Sequence, residues 1–367
     1  MRIGIDLSIA AINQAGTGIY IKRLVEAFEH LQKPETFVYF SVKHQRDMSA
    51  PKTYRTRINT VYRDLIWMHT ILPLQTRRAG VKVLHMPAGI IPYFPPKPVV
   101  LTILDTILFQ TPERFPLWQR YYFQSLGPRS ALFADRIITI SEHSKLDIIR
   151  QFNVPPEKVT VTYLAAGSEF KPLPPDNIAS VRQKYGLNQN FILTVGTIEP
   201  RKNLARILDS FVSLKSDGFA YQLVHVGPNG WLQENLVTKI KQLGIQKSVR
   251  FLGFLPIQDL VAVYNAATLF VYPSLYEGFG LPVLEAMACG CPVVTSNTSS
   301  MPEVAGDAAI LVDPSQVGAI TKGITDVLNN SYMAADLRER GLLQCQRFSW
   351  YQTALETLNV YREVAGK

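Results

Sequence analysis

Glu277 and Glu285 stand eight positions apart in SLYEGFGLPVLEAMACGCPVV, and two carboxylates near one another suggest one of two chemistries. As acid and base they would serve a hydrolase, which sets paired carboxylates on either side of the bond it breaks. As hydrogen-bond acceptors they would grip the hydroxyls of a sugar. Their surroundings point to the second. Glu277 precedes a glycine-bounded turn of Gly278, Phe279 and Gly280, and Pro282 suits the first turn of a helix beginning near Leu281. The unsatisfied N–H groups and positive dipole end of such a helix suit a phosphate. Carboxylates beside an anion site repel the anion, so these are read as grips on a ribose or hexose. Glu285 lies within the apolar run LPVLEAMACG, where an unpaired charge is costly and a ligand hydroxyl is a suitable partner. Two glutamates on a solvated helix face are the plain alternative.

A second constellation lies in FILTVGTIEPRKNLARILDSF. The apolar run Phe191 to Val195 predicts a buried strand, Gly196 and Pro200 break it, and Asn203 is expected to cap a helix with Leu204, Ile207, Leu208 and Phe211 on its apolar face. Arg201 and Lys202 then emerge at the carboxyl end of a strand, where open α/β sheets bind ligands. There a guanidinium fork and an ammonium would neutralise a diphosphate. A solvated basic loop is the alternative.

The elements needed to position these residues are legible across the chain. Apolar strands at Arg2 to Leu7, Phe37 to Val42, Val99 to Leu104 and Arg136 to Ile140 alternate with helical stretches at Ile19 to Leu31, Asp64 to Arg77 and Ser144 to Gln151. A second series of strands follows at Gln222 to Val226, Val249 to Leu252, Leu269 to Tyr272, Pro292 to Thr295 and Ala309 to Val312. This alternation predicts parallel sheets covered by helices on both faces, and 367 residues with 47% hydrophobic side chains support two cores. The boundaries expected are a first domain over 1–170, a linker over 171–188 beginning at the proline cluster KPLPPDN, and a second domain over 189–348.

EPRKN after a strand, followed some seventy residues later by PSLYEGFGLPVLEAMACGCPVV, resembles the retaining glycosyltransferases of family 4. GTGIY, ADRIITISEHSKLDII, VRFLGFLPIQDLVAVYNAATLFVYPS and FSWYQTALETLNVYREV extend the resemblance along nearly the whole chain. It implies the GT-B fold: two Rossmann-like, doubly wound parallel-sheet domains facing a cleft, with the final helix, 349–367, crossing back onto the first domain. It implies Glu285 on the ribose hydroxyls, Glu277 on the transferred sugar, and Arg201 and Lys202 on the diphosphate. It also implies backbone recognition of the base near Phe254 and Leu255, and a donor site completed by Gly196, Gly278, Phe279, Gly280 and Leu281. Gly16 and Gly18, in the loop QAGTGIY before a helix expected from Ile19, would lie by the diphosphate and acceptor. Where many relatives carry His-Asp at the end of a first-domain strand, this chain has Leu104 before Asp105, leaving Asp105 as the candidate catalytic residue there. His85 and His143 follow apolar strands closely enough to line the cleft, though an isolated histidine is also an ordinary structural residue.

The expected activity is retaining, metal-independent hexosyl transfer from a nucleotide sugar to a saccharide acceptor, with UDP-glucose the first donor expected and GDP-mannose the second. Non-catalytic sugar-nucleotide binding and sugar-nucleotide epimerisation on the same fold stand as alternatives. The oxidoreductase reading fails because a third fingerprint glycine would fall at Ile21. No cofactor is implied, and no Asp-x-Asp pair is present to hold a metal on a diphosphate. Residues 1 to 170 carry 21 Lys and Arg against 13 Asp and Glu, so nearly all of the +9 net charge lies there. In KTYRTRINTVYRDLIWMHTILPLQTRRAGVK, Lys52, Arg55, Arg57, Arg63, Arg77 and Arg78 mix with Trp67, Met68, Ile71 and Leu72. Basic and apolar residues so mixed suit an anionic membrane surface and an acceptor on a lipid carrier; a surface helix with a basic face is the alternative. No nucleic-acid motif appears. With no spanning segment or secretory signal, and with three cysteines, Cys289 and Cys291 read as small buried residues, the expectation is a cytoplasmic protein, peripheral on the inner face of the plasma membrane if that surface is used.

Overall fold

The computed structural model describes residues 1–10, 16–32, 34–41, 65–228 and 233–366. The chain folds as two compact units, Met1–Leu164 with Trp350–Lys367, and Ala165–Ser349. The first holds strands β1 (Arg2–Asp6), β2 (Thr36–Phe40), β3 (Val83–Met86), β4 (Val99–Thr102), β5 (Arg136–Thr139) and β6 (Val159–Val161). They form one sheet in the order β2-β1-β3-β4-β5-β6. The second holds β7 (Phe191–Val195), β8 (Gln222–Val226), β9 (Val249–Gly253), β10 (Leu269–Tyr272), β11 (Val293–Ser296) and β12 (Ile310–Val312), in the order β12-β11-β10-β7-β8-β9. Every strand pair is parallel. Both sheets are therefore α/β and covered by helices, which is why β3, β4, β7, β8, β10 and β11 are buried at every residue.

In the second unit the strand order reverses between β7 and β10, which pair Leu269 with Ile192 and Phe270 with Leu193. The loops leaving the carboxyl ends of those two strands diverge to opposite faces, opening a crevice at the switch point. The core beneath it packs Leu204, Ile207, Leu208 and Phe211 of the Leu204–Ser216 helix against Ile192, Leu269 and Val271. Each such side chain contributes about 1.5–3 kcal/mol relative to exposure.

The linker and the set of strands differ from the sequence reading. The segment expected as a linker contains the Pro175–Tyr185 helix, in the second unit. Pro175 occupies a first helical position, where its missing N–H costs nothing, and the helix stops at Gly186 in a left-handed conformation. Strands β3 and β6 are additions to the strands read from the sequence. Of the stretch read as a membrane contact, Lys52, Arg55, Arg57 and Arg63 lie outside the described residues, whereas Trp67 and Leu72 are buried in the first unit's core. No described helix is long and apolar enough to cross a membrane.

The Trp350–Gly366 helix packs on the Gly16–His30 helix and on β3, β4 and β5. A buried polar chain joins them: Tyr361 Oη to His85 Nδ1 at 2.6 Å, His85 Nε2 to Thr102 Oγ1 at 2.7 Å, and Tyr20 Oη to Thr102 Oγ1 at 3.1 Å. Burial drops the His85 pKa to about 3, so the ring is neutral there.

Candidate functional site

The site is assembled at the carboxyl ends of β7 and β10. After β7 the chain turns at Gly196, passes Glu199, and makes a single 3-10 turn over Pro200–Lys202 before Asn203 adopts a left-handed conformation. That turn points Arg201 and Lys202 toward β10. After β10, the Leu275 N–H donates to the Arg201 carbonyl at 2.8 Å, tying the two loops together. Asn203 is not the side-chain cap expected; its amide donates to the carbonyls of Pro273 and Pro314, at 3.0 and 2.6 Å. A left-handed backbone carries the side chain away from the helix N–H groups and frees it to bridge loops.

Glu277 is the centre of this arrangement. Its Oε2 accepts from Arg201 Nη1 at 2.6 Å, and its Oε1 accepts from Lys202 Nζ at 2.7 Å, Ser274 Oγ at 2.6 Å and Tyr272 Oη at 2.9 Å. Lys202 Nζ also reaches Tyr272 Oη and sits 4.7 Å from the centre of that ring. Glu199 holds the far side of the Arg201 guanidinium at 2.7 Å. Burial alone would raise the Glu277 pKa, but Lys202 and Arg201 overcome it and hold the carboxyl at about 2. Burial lowers the Lys202 pKa while Glu277 opposes the shift. Two cations are thus fixed in place by a carboxylate that stays ionised, together with a tyrosine and a serine.

The turn after Glu277 leads into the Leu281–Ala288 helix. Gly280 has a φ of +109°, a left-handed conformation that L side chains rarely adopt and that favours glycine. Ser300 Oγ reaches the carbonyls of Glu277 and Phe279, at 2.9 and 2.8 Å, so the turn is held from below. Glu285 lies one turn into the helix, and its carboxylate accepts from the buried Tyr264 hydroxyl at 3.0 Å. A protein phenol is thus one partner of this carboxylate.

Sequence reasoning missed Glu199, Tyr272, Ser274 and Gly227. At Gly227, with φ of +150°, an added Cβ would stand 2.0 Å from the Gly196 carbonyl oxygen, so β7 and β8 leave the sheet in direct backbone contact. The available signal was a glycine after each of β7, β8 and β9: Gly196, Gly227 and, at the end of β9, Gly253. Phe254 follows on the same sheet edge with its ring 73% exposed, while Leu255 is buried.

Arg201, Lys202, Glu277 and Glu285 belong to the second unit; Gly16, Gly18 and Asp105 belong to the first. The helix expected from Ile19 begins earlier, at Gly16, with Gly18 buried in its first turn. Asp105 Oδ1 accepts the Ile107 N–H at 3.1 Å, starting a short helical turn. His85 is corrected: it lies within β3, fully buried in the polar chain to Tyr361. His143 occupies the first turn of the Glu142–Phe152 helix, 3.3 Å from Asp147, beside the Ser141 cap. Cys289 and Cys291 are buried free thiols, Cys291 pushed up to about 12 by burial. Among the described residues no group of three or more His, Cys, Asp and Glu side chains is placed to hold a metal ion.

Residues 177–344, which contain both loops, match the family model described as glycosyl transferases group 1. Over 266 residues the chain is 39% identical to an O-antigen chain mannosyltransferase B of Escherichia coli, covering 72% of this chain and 70% of that protein. The chain is a group 1 glycosyltransferase. A serotype-specific mannosyltransferase of E. coli, WbdA, is 34% identical over 68% of this chain, but that stretch is 31% of the longer protein. Among solved structures, a sucrose-phosphate synthase from Thermosynechococcus elongatus superposes with a TM-score of 0.77 at 19% identity, covering 99% of this chain and 98% of that one. WaaG, a glycosyltransferase involved in lipopolysaccharide biosynthesis, gives 0.72 at 16% identity over 98% and 99%. The glycosyltransferase has the GT-B fold, two Rossmann-like α/β units. In its second unit the strand-order reversal coincides with the Arg201–Lys202–Glu277 cluster.

Proposed function

We propose that this glycosyltransferase moves a mannosyl residue from GDP-mannose to a saccharide acceptor on a lipid carrier, in polysaccharide synthesis at an anionic membrane surface. The observation that carries the site assignment is the fixed pair of cations at the β7–β10 switch point, each held by Glu277. UDP-glucose headed the sequence expectation; the relatives' names reverse that order, since O-antigen chain mannosyltransferase B, WbdA and an MMP alpha-(1->4)-mannosyltransferase of Mycolicibacterium hassiacum all carry mannose.

In this reading the donor diphosphate lies against Arg201, Lys202 and the N-terminus of the Leu281–Ala288 helix, with Glu285 toward the ribose. Gly196 and the strand-end backbone near Phe254 and Leu255 border the nucleotide. As the sugar–phosphate bond breaks, charge grows on the departing diphosphate, and donors already in place stabilise it without reorganising. Removing one such donor typically costs about 3–4 kcal/mol. With two cations and a helix dipole in that role the transfer needs no metal, and the acceptor hydroxyl enters from the face the diphosphate leaves, retaining configuration. Asp105 and the Gly16–Gly18 turn serve the acceptor side.

A second reading draws on the resemblance: Leu104 precedes Asp105 where many members of the resembled family carry histidine, which fits a protein that binds the donor without transferring it. A donor panel separates the two. GDP-mannose is expected to raise the melting temperature more than UDP-glucose, because a ligand that binds only the folded state stabilises by RT ln(1 + [L]/Kd). GDP release in the presence of a chelator is expected for the wild type and lost in Lys202→Ala. Stabilisation without GDP release would establish the binding-only reading, and undiminished release by Lys202→Ala would sink the site.

A further inference from the structure

The Leu117–Phe133 helix is inside out for a soluble protein. Its buried residues are Gly127, Ser130 and Ala131, all small. Leu117, Trp118, Tyr121, Leu132 and Phe133 are instead exposed, between 51% and 67% each. At 3.6 residues per turn these five fall within an arc of about 160°, so they form one face. Surface helices normally turn a polar face to water, and contiguous exposed apolar area marks an interaction site. The face continues onto the loop after β3, where Phe94 is 73% exposed. Arg129 binds that loop to the helix: its guanidinium lies 4.1 Å from the Tyr93 ring centre and 4.8 Å from that of Phe133. At the helix C-terminus Lys158 Nζ donates to the Leu132 carbonyl at 2.6 Å.

We infer that this face is the protein's membrane contact, seated on an anionic bilayer with Leu117, Trp118 and Tyr121 entering the headgroup region. Three observations choose the bilayer. The residue chemistry is interfacial: Trp and Tyr carry apolar rings with a polar tip, and an arginine stacked on aromatics presents charge at the same level as apolar surface. The charge is complementary, since the helix carries Arg120 and Arg129 with no Asp or Glu, and Lys158 sits at its C-terminus. A second copy fits worse, because a two-fold contact pairs this face with itself and so sets one excess of positive charge against an identical one. This extends the membrane setting of the proposed function and moves it from the 52–82 stretch to the Leu117–Phe133 helix; it does not depend on the identity of the donor.

The test is flotation of the full chain with vesicles of phosphatidylglycerol and phosphatidylethanolamine, and with phosphatidylcholine vesicles as the neutral control. The wild type is expected to float with the anionic vesicles and to be released by salt. Leu117→Ser/Trp118→Ser/Tyr121→Ser, all at exposed positions, is expected to keep the wild-type melting temperature and GDP release in solution while binding falls roughly tenfold or more. Trp emission should shift to the blue with vesicles in the wild type and not in Trp118→Phe. Flotation of the triple variant like the wild type, or absence of wild-type flotation, overturns the inference. A wild-type dimer that the triple variant dissociates, with no vesicle binding, assigns the face to a second copy and overturns it too. Loss of flotation with transfer intact, and the converse, keep this inference separable from the sugar-nucleotide reading.

Discussion

Glu277 has both carboxylate oxygens engaged by protein groups, and its first role is to fix cations. Because its folded-state pKa is about 2 against an ordinary 4.5, an unfolded chain takes up the proton first as pH falls. The stability it adds is therefore complete above about pH 4.5 and is lost toward pH 2, about 3 kcal/mol in all. Glu277→Gln should cost about that much at pH 7 by denaturant titration, and the gap to the wild type should narrow at pH 3. Tyr272→Phe is the more discriminating change, since it removes only the hydroxyl between Lys202 and Glu277. It should lower turnover by about tenfold to a hundredfold with little change in melting temperature, as expected when a charge is displaced and not deleted. The types and places of Arg201, Lys202, Glu277 and Glu285 were legible because loops after apolar strands are readable. Their partners were not. Tyr272 and Ser274 reach Glu277 from the β10 strand end, where both read as ordinary residues of an apolar segment, and the bond from Lys202 spans 75 positions.

At the scale of elements, β7, β8 and β10 were readable because both faces of a parallel sheet are buried, which leaves uninterrupted apolar runs. The order of strands was not, and it is the order β12-β11-β10-β7-β8-β9 that brings the two loops together. The Pro175–Tyr185 helix shows a related limit: a proline cluster reads as a break, although its last proline can begin a helix. The Leu117–Phe133 helix has no clear amphipathic period, since Gln119, Arg120, Gln124 and Arg129 interleave with its large apolar residues and the positions it buries are small. Gly227 gives the element-scale prediction. Gly227→Ala forces a Cβ into the Gly196 carbonyl at a φ that L-residues rarely adopt, so β7 and β8 must part at the site. The variant should lose at least about 2–3 kcal/mol of stability in the second unit, with donor-induced stabilisation abolished. Wild-type melting would exclude that backbone contact.

For the whole molecule, the first unit is completed by a helix that follows the second in sequence. Tyr361→Phe would leave the buried His85 Nδ1 without its partner and cost about 1–3 kcal/mol, readable as a lower denaturant midpoint for the first unit. Since burial lowers the His85 pKa to about 3, the unfolded chain binds the proton first below about 6.5, and stability falls as pH drops from there toward 3. The order of synthesis makes this arrangement matter in another way. Residues 1–164 leave the ribosome with the seat for Tyr361 open, and all of Ala165–Ser349 must be translated before Trp350–Gly366 can fill it. At about 5–20 residues per second the half made first waits ten seconds or more, on the order set by elongation, with apolar surface uncovered. Its maturation is thus timed by translation, and a ribosome stalled late in the message would release a chain whose second unit is whole and whose first cannot close.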